Sequence, residues 1–564
     1  MNMTLPETQI LHWTDLESQY AELQAFPLNA GNTYSFLVRW SELCKTVGET
    51  GTFLQLAADL NTADQTAQEQ LSHFHRVTQP AVSIADAGLR RKVLAVREPE
   101  IPGEANLVLR RMQTDESAYR EENVQIVAEE SDLVAEYHRI TGSQMVDYQG
   151  EKKTTPQVVR HLQDPSRNVR ESAWRAWQKS KIELAPQLDE LFLKLLAARR
   201  KLAKNCGLES YRDFIWLKYH RYDYTPEDCY KLHESIELEV VPFATELLEL
   251  HRRGLGVDRL LPWDFYWKAP VDPQGRPPIH PFETVAELEQ GTERVFNALD
   301  PELGKQFGEI RNGFCDLGSR PNKMSHAYCA EFPKRGMPFV LENVVGSDQD
   351  VQVTLHEFGH AFHGYASMRS QQLVWNHFSA TEFVEVPSQA MEVLAMPCLA
   401  KAKGGFYSDD ELKRVRETQV SLVVHLLTWI GFMDSFQHWL YAEAPQEVKI
   451  EDMDKKAAEL IARFMPQTDW SDFPAEIGKL WHYNHIFGSP FYYIEYGLSW
   501  LGALQLWQNS LVDPAKAMRR YRSALALGDS RSVPDLFNAA GTTFAFDRET
   551  VRKTVAFLRG QLAV

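Results

Sequence analysis

The residues with the plainest chemistry are His356-Glu357-Phe358-Gly359-His360. On a helix, imidazoles four residues apart stand one turn above the other on one face. The Glu357 carboxylate lies beside them, an arrangement that can hold zinc next to a general base. A zinc hydrolase site takes three protein ligands and leaves one position for water, so another ligand must come from elsewhere. A pattern with glycine at 363 and a third histidine at 366 is excluded, because the chain has His363 and Ala366 there. His363 is then expected to pack or to support a ligand. The remaining source is a glutamate on a neighbouring helix, and Glu382, Glu385 and Glu392 all lie in the stretch from Thr381. Glu385 and Glu392 are seven apart and share one face of a helix expected to start near Pro387. One can bind metal while the other accepts a hydrogen bond from a ligating imidazole.

The elements that must position these groups read as helix. Apolar residues at three- and four-residue intervals, with Glu, Lys, Arg, Gln and Ala between them, predict helices over Thr33–Val47, Ala63–Ala81, Arg167–Lys181, Leu188–Lys204, Pro226–Leu255 and Phe282–Asn297. Asp164-Pro165 and Thr225-Pro226 are read as helix starts. Pro and Gly gather between Leu260 and Pro281, the main break in texture. Strand-like pieces at Ala327-Tyr328-Cys329 and Pro338–Leu341 predict a small sheet just before the metal helix. Its edge could pair with an extended peptide, or the sheet could simply brace the helix.

Bulk properties narrow the function class. The 564 residues can build a large core, and 44% hydrophobic content with 14 Trp, 29 Phe and 20 Tyr excludes disorder. A net charge of -17 without clustered Lys or Arg argues against nucleic acid as a partner. Cys44, Cys206, Cys229, Cys315, Cys329 and Cys398 are widely spaced and suit a reducing compartment. No signal peptide is visible in Met1–Tyr20, and a cytoplasmic location is expected. The most apolar stretch, Val420–Trp439, contains His425, Asp434 and His438, which are costly in lipid; it is read as a buried helix, and no membrane partner is expected.

HEFGHAFH, then FVEVPSQAME, then HIFGSPFYYIEYG together resemble the thimet oligopeptidase and oligoendopeptidase F family of zinc peptidases, with a Pz-peptidase-like form of the middle motif. Further family landmarks are Arg199–Phe214, Pro262-Trp263-Asp264 and Asn343–Thr354, so the likeness runs from about Arg167 to Phe546. The resemblance implies one zinc per chain held by His356, His360 and Glu385, with Glu357 as general base and Glu392 supporting a ligand. It implies His485 and a tyrosine as donors to the oxyanion, Tyr496 ahead of Tyr493; the tyrosine spacing departs from the thimet pattern by one position. Ala327, Tyr328 and Tyr492 are expected to contact substrate. It also implies a mainly α, two-lobed body around a deep channel, divided into a helical lobe over 1–165 and a catalytic region over 166–564.

The function expected is hydrolysis of internal bonds in short, unfolded oligopeptides, with Glu357 taking a proton from the attacking water and passing it to the departing amine. Two other readings remain. An exopeptidase of the same chemistry, such as a dipeptidyl carboxypeptidase, would need a cation to bind the substrate carboxylate. A non-catalytic peptide-binding protein would have no use for Glu357 beside two metal ligands.

Overall fold

Helix-favouring residues with apolar stripes fold as helix through most of the computed structural model, which describes residues 8–266, 270–377 and 380–562. The fold is mainly α, with two small sheets among the described residues. One is a hairpin, β1 (Met145–Tyr148) against β2 (Glu151–Thr154), missed in the sequence reading. Its turn residues Gln149 and Gly150 both have positive φ, the geometry that lets a two-residue loop match the twist of its strands.

The second sheet joins β3 (Cys315–Gly318), β4 (Tyr328–Phe332) and β5 (Met337–Val344) in the order β3-β5-β4. β5 runs parallel to β3 and antiparallel to β4, with Tyr328 opposite Leu341 and Ala330 opposite Phe339. The expected sheet is therefore present, with β3 as an added strand. Lys323 ties it together: its ammonium donates to Asp316 Oδ1 at 2.8 Å, to the carbonyls of Asp316 and Gly318 at 2.9 Å, and to the Glu342 carbonyl. Phe332, Phe339 and Leu341 pack on Leu56 of α1 (Thr33–Leu60).

Several helices differ in extent from the sequence reading. The stretches 167–181 and 188–204 form one helix, α2 (Arg167–Asn205), with Pro186 inside. Proline removes one backbone donor there, but a continuous buried stripe from Ala173 and Trp174 through Leu188, Leu191, Leu195 and Leu196 outweighs that loss. Helix α2 begins after Ser166 rather than at Asp164-Pro165, because Arg170 takes the carbonyls of Asp164 and Pro165, each at 3.0 Å. The start at Thr225-Pro226 is as expected, with the Thr225 amide and hydroxyl both donating to Asp228.

Contacts group the chain into two units that do not follow the expected break at 165. One comprises 1–117, 278–415 and 499–544; the other 118–277, 416–498 and 545–564. The first 117 residues thus belong with the metal-motif helix. One helix among the described residues, Asp409–Glu443, is long and apolar enough to cross a membrane, and 78% of its most apolar window is buried inside the protein. Its polar residues are inside too: His425, Asp434 and His438 are all buried. Residues 267–269 of the Pro/Gly-rich run lie outside the described residues.

Candidate metal centre

The motif histidines sit on α3 (Asp348–Ser370). Ser347 caps it: the Ser347 amide donates to Asp350 at 2.9 Å, while the Asp350 amide donates to the Ser347 hydroxyl at 3.3 Å. Packed against α3 is α4 (Thr381–Leu394), which starts six residues before the expected point and contains Pro387. Contacts from far along the chain sustain it through the proline. Tyr521 donates to the Pro387 carbonyl at 3.0 Å, and Ser499 to the Glu382 carbonyl at 3.1 Å. The two helices meet at Gly359. A Cβ there would lie 2.5 Å from Ser388 Cα and 2.7 Å from the Pro387 carbonyl oxygen.

This close crossing brings Glu385 to the histidines. Its Oε2 lies 3.3 Å from Nε2 of His356 and 3.3 Å from Nε2 of His360, and the three ligand atoms fall within 4.8 Å of one another. His356 Nδ1 donates to Glu392 Oε1 at 2.8 Å, which leaves Nε2 as the atom that a metal would take in place of its proton. Ser388 Oγ, 3.0 Å from Glu385 Oε2, orients the third carboxylate. Two imidazoles and one carboxylate, with a carboxylate behind one imidazole, are a donor set that fits zinc. Glu382, the competing ligand candidate, is buried and does not join this group.

The electrostatics follow from burial and proximity. Burial pushes the Glu385 carboxyl up, but the His360 and His356 imidazoles outweigh it and hold the group well below the usual carboxylate range. Burial raises Glu357 despite the pull of His356 and His360. Burial pushes His363 down to about 3, so it is a neutral ring, packed edge-on to Phe383 with centroids 6.1 Å apart.

A cavity of about 600 Å3 is lined by His356, Glu357, His360, Glu385 and the strand segment Ala327–Glu331. Ala327 and Tyr328 therefore border the metal site, although the Tyr328 hydroxyl is committed to Asp59 at 2.6 Å. β4 is an edge strand, paired on one side with β5. Alternation along it puts Tyr328, Ala330 and Phe332 toward the Leu56 cluster and Cys329 and Glu331 on the other face.

His485, Tyr492, Tyr493 and Tyr496 lie in the other unit, on α5 (Asn484–Gly488) and around the start of α6 (Tyr493–Val512). Ring centroids of His485 are 4.8 Å from Tyr493, 5.8 Å from Tyr496 and 6.3 Å from Tyr492. Tyr493 is buried, whereas Tyr492 and Tyr496 keep exposed surface. Buried Arg199 fixes this segment: it donates to Glu130 at 2.7 Å, to the Ile486 carbonyl at 2.9 Å and to the Phe487 carbonyl. The sequence reading missed Arg221 and Gln437. Arg221 pairs with Glu495 and donates to the Phe491 carbonyl, and Gln437 accepts from the Phe491 amide at 2.6 Å. An arginine amid the aromatics of Trp216–Tyr224 was the available signal.

A second group of potential ligands, Cys229, Asp434 and His438, also comes within 4.8 Å. Its partners are already assigned. Asp434 Oδ2 is 2.7 Å from His233 Nε2, and Arg212, which can only donate, is 3.5 Å from His438 Nδ1. The other His438 nitrogen then carries the proton and faces Asp434 Oδ2 at 3.3 Å, so His233, Asp434 and His438 form a buried charge-paired cluster.

The model of peptidase family M3 matches residues 160–555, and the chain belongs to that family. It is 22% identical over 286 residues to an oligoendopeptidase F homolog of Borreliella burgdorferi, covering 49% of this chain and 47% of that one. To oligopeptidase PepF of Bacillus subtilis it is 22% identical over 331 residues, covering 56% of this chain and 46% of that one. The chain thus matches about half the length of these curated relatives. Among solved structures, Pz peptidase A with an inhibitor superposes with a TM-score of 0.86 at 22% identity, covering 99% of this chain and 98% of that one, and shares the fold.

Proposed function

We propose that the protein is a zinc-dependent endopeptidase acting on short, unfolded oligopeptides. The observation that carries this reading is the convergence of His356, His360 and Glu385, with Glu357 beside them, on a cavity walled by an edge strand. Membership of peptidase family M3 supports it. When bound, the zinc supplies Lewis-acid chemistry, easing deprotonation of water and polarising the scissile carbonyl.

The chain's own residues do the rest. β4 holds the substrate backbone extended through main-chain hydrogen bonds. Glu357 accepts the proton of the attacking water and delivers it to the leaving amine. Glu392 keeps the His356 ring oriented. His485 and Tyr496 donate to the oxyanion; this assignment rests on the motif resemblance and on the exposed surface of Tyr496, and one such donor is worth about 3–4 kcal/mol of barrier. Six free thiols support a reducing, cytoplasmic setting.

The test pairs wild type with Glu357→Gln on an oligopeptide library read by mass spectrometry, with bound metal quantified in both. Internal cuts by wild type, and a variant that keeps zinc but loses turnover by a factor of roughly 100 or more, are expected. Trimming from the ends alone would replace this reading with an exopeptidase, and zinc binding without cleavage would replace it with a peptide-binding protein.

A further inference from the structure

Glu331 is a carboxyl that neither the metal centre nor the proposed mechanism uses. It lies on β4, lines the same cavity as His360 and Glu357, and among the described residues has no hydrogen-bond or ion-pair partner. Its Oε2 is sealed from solvent and unsatisfied. Space for it is made by Gly364 on the metal helix: a Cβ there would lie 2.6 Å from Glu331 Oε1. A half-buried acid with one oxygen sealed and unsatisfied is costly, and a neutral side chain in this place would avoid the cost. The cavity holds a second unsatisfied acceptor. His377 Nε2 is 3.0 Å from the Gln371 carbonyl and must donate, so its Nδ1, buried and unpartnered, can only accept.

We propose that Glu331 is a specificity-determining residue that pairs with an arginine or lysine side chain of the bound peptide. This deepens the peptidase reading and rests on it. The geometry favours a cation because the unfilled groups are acceptors and a guanidinium or ammonium supplies only donors. Its place on the strand limits which substrate residue is read. Cys329 and Glu331 both line the cavity with Glu357, so an extended peptide paired along β4 sets one side-chain position opposite Glu331. Burial pushes the Glu331 carboxyl up to about 8, and an incoming cation would draw the proton off as it binds.

The test uses one quenched peptide in which each position flanking the cut carries arginine or its uncharged isostere citrulline. With wild type, one position should favour arginine by about 10–100-fold in kcat/KM, the range expected for a hydrogen bond to a charged group. In Glu331→Gln that preference should fall to near unity while the all-citrulline parent is still cut; cleavage of the parent also shows that the variant is folded. A position-independent response to charge, a preference that survives in Glu331→Gln, or an equal slowing of all peptides would overturn the proposal. Binding of the same peptides to zinc-loaded Glu357→Gln, with and without Glu331→Gln, is read by fluorescence anisotropy and needs no turnover. Equal affinity for arginine and citrulline forms overturns the role of Glu331 whatever the outcome for cleavage, and failure to cut the parent peptide bears only on the peptidase reading.

Discussion

Gly359→Ala adds one methyl group where α3 and α4 cross, and its cost can be worked from the distances. The new Cβ would sit 2.5 Å from Ser388 Cα, 2.7 Å from the Pro387 carbonyl oxygen and 2.9 Å from the Ser388 nitrogen. All three are backbone atoms, so no side chain can rotate away. Carbon atoms in contact need about 3.5 Å, so α4 must move by roughly 1 Å. Glu385 is three residues from Ser388 on that helix, and metal-ligand distances tolerate only about 0.2 Å of error. Overpacking of this kind costs about 1–3 kcal/mol, against which alanine returns about 1 kcal/mol of helix propensity. The expected result is a folded protein whose zinc affinity falls at least tenfold, about 1.4 kcal/mol. Competition against a chromophoric chelator measures it. Gly308→Ala is the control, because a Cβ at that helical glycine meets nothing within 4 Å, and it should leave zinc binding unchanged. Wild-type zinc affinity in Gly359→Ala would refute the claim that this crossing sets the position of Glu385.

Three further outcomes are expected. Glu392→Ala should lower zinc affinity or activity about 10–100-fold by freeing the His356 ring, seen in the same chelator competition. Arg199→Lys keeps the charge but loses the fork that grips the Ile486 and Phe487 carbonyls; zinc content should stay at wild type while kcat falls, and unchanged kcat would separate Arg199 from the proposed role of His485. Glu331 should make stability depend on pH. Its carboxyl goes from an ordinary 4.5 to about 8 on folding, so the folded chain keeps a proton that the unfolded chain sheds between those values. Stability is therefore full below pH 4.5 and declines as pH rises to about 8. The stability gap between Glu331→Gln and wild type should widen from pH 5 to pH 8.5, measured by denaturant titration, and a constant gap would contradict the unpartnered burial of Glu331.

The candidate metal site was legible where chemistry is encoded within one turn of helix. His356, Glu357 and His360 declare themselves by spacing, and the FVEVPSQAME segment supplied the glutamate that the structure brings to them. The limits of α4 were not legible. A proline usually marks a first turn, and what lets the helix run through Pro387 is Tyr521 and Ser499, more than a hundred residues away. Pro186 misled for the same reason, since the packing of the stripe on α2 decides the matter. β3 has four residues, too few for a periodic signal. Glu331 was invisible among 77 acidic residues because only the folded structure shows which carboxyl has an oxygen sealed away without a partner.

The segments that support the third ligand bear on how the protein is made. Helix α4 carries Glu385, yet its braces Ser499 and Tyr521 and its neighbour Phe537, whose ring packs 5.5 Å from that of Phe383, are translated long after it. At about 5–20 residues per second, a ribosome needs roughly 7–30 s to go from the end of α4 to Phe537. During that interval the two histidines are already synthesised but the helix facing them lacks its props. A nascent chain should therefore take up zinc late, only after Tyr521 and Phe537 have been made and α4 is braced. Ribosome-stalled chains ending before residue 499 are then expected to bind metal weakly, even though they contain every ligand.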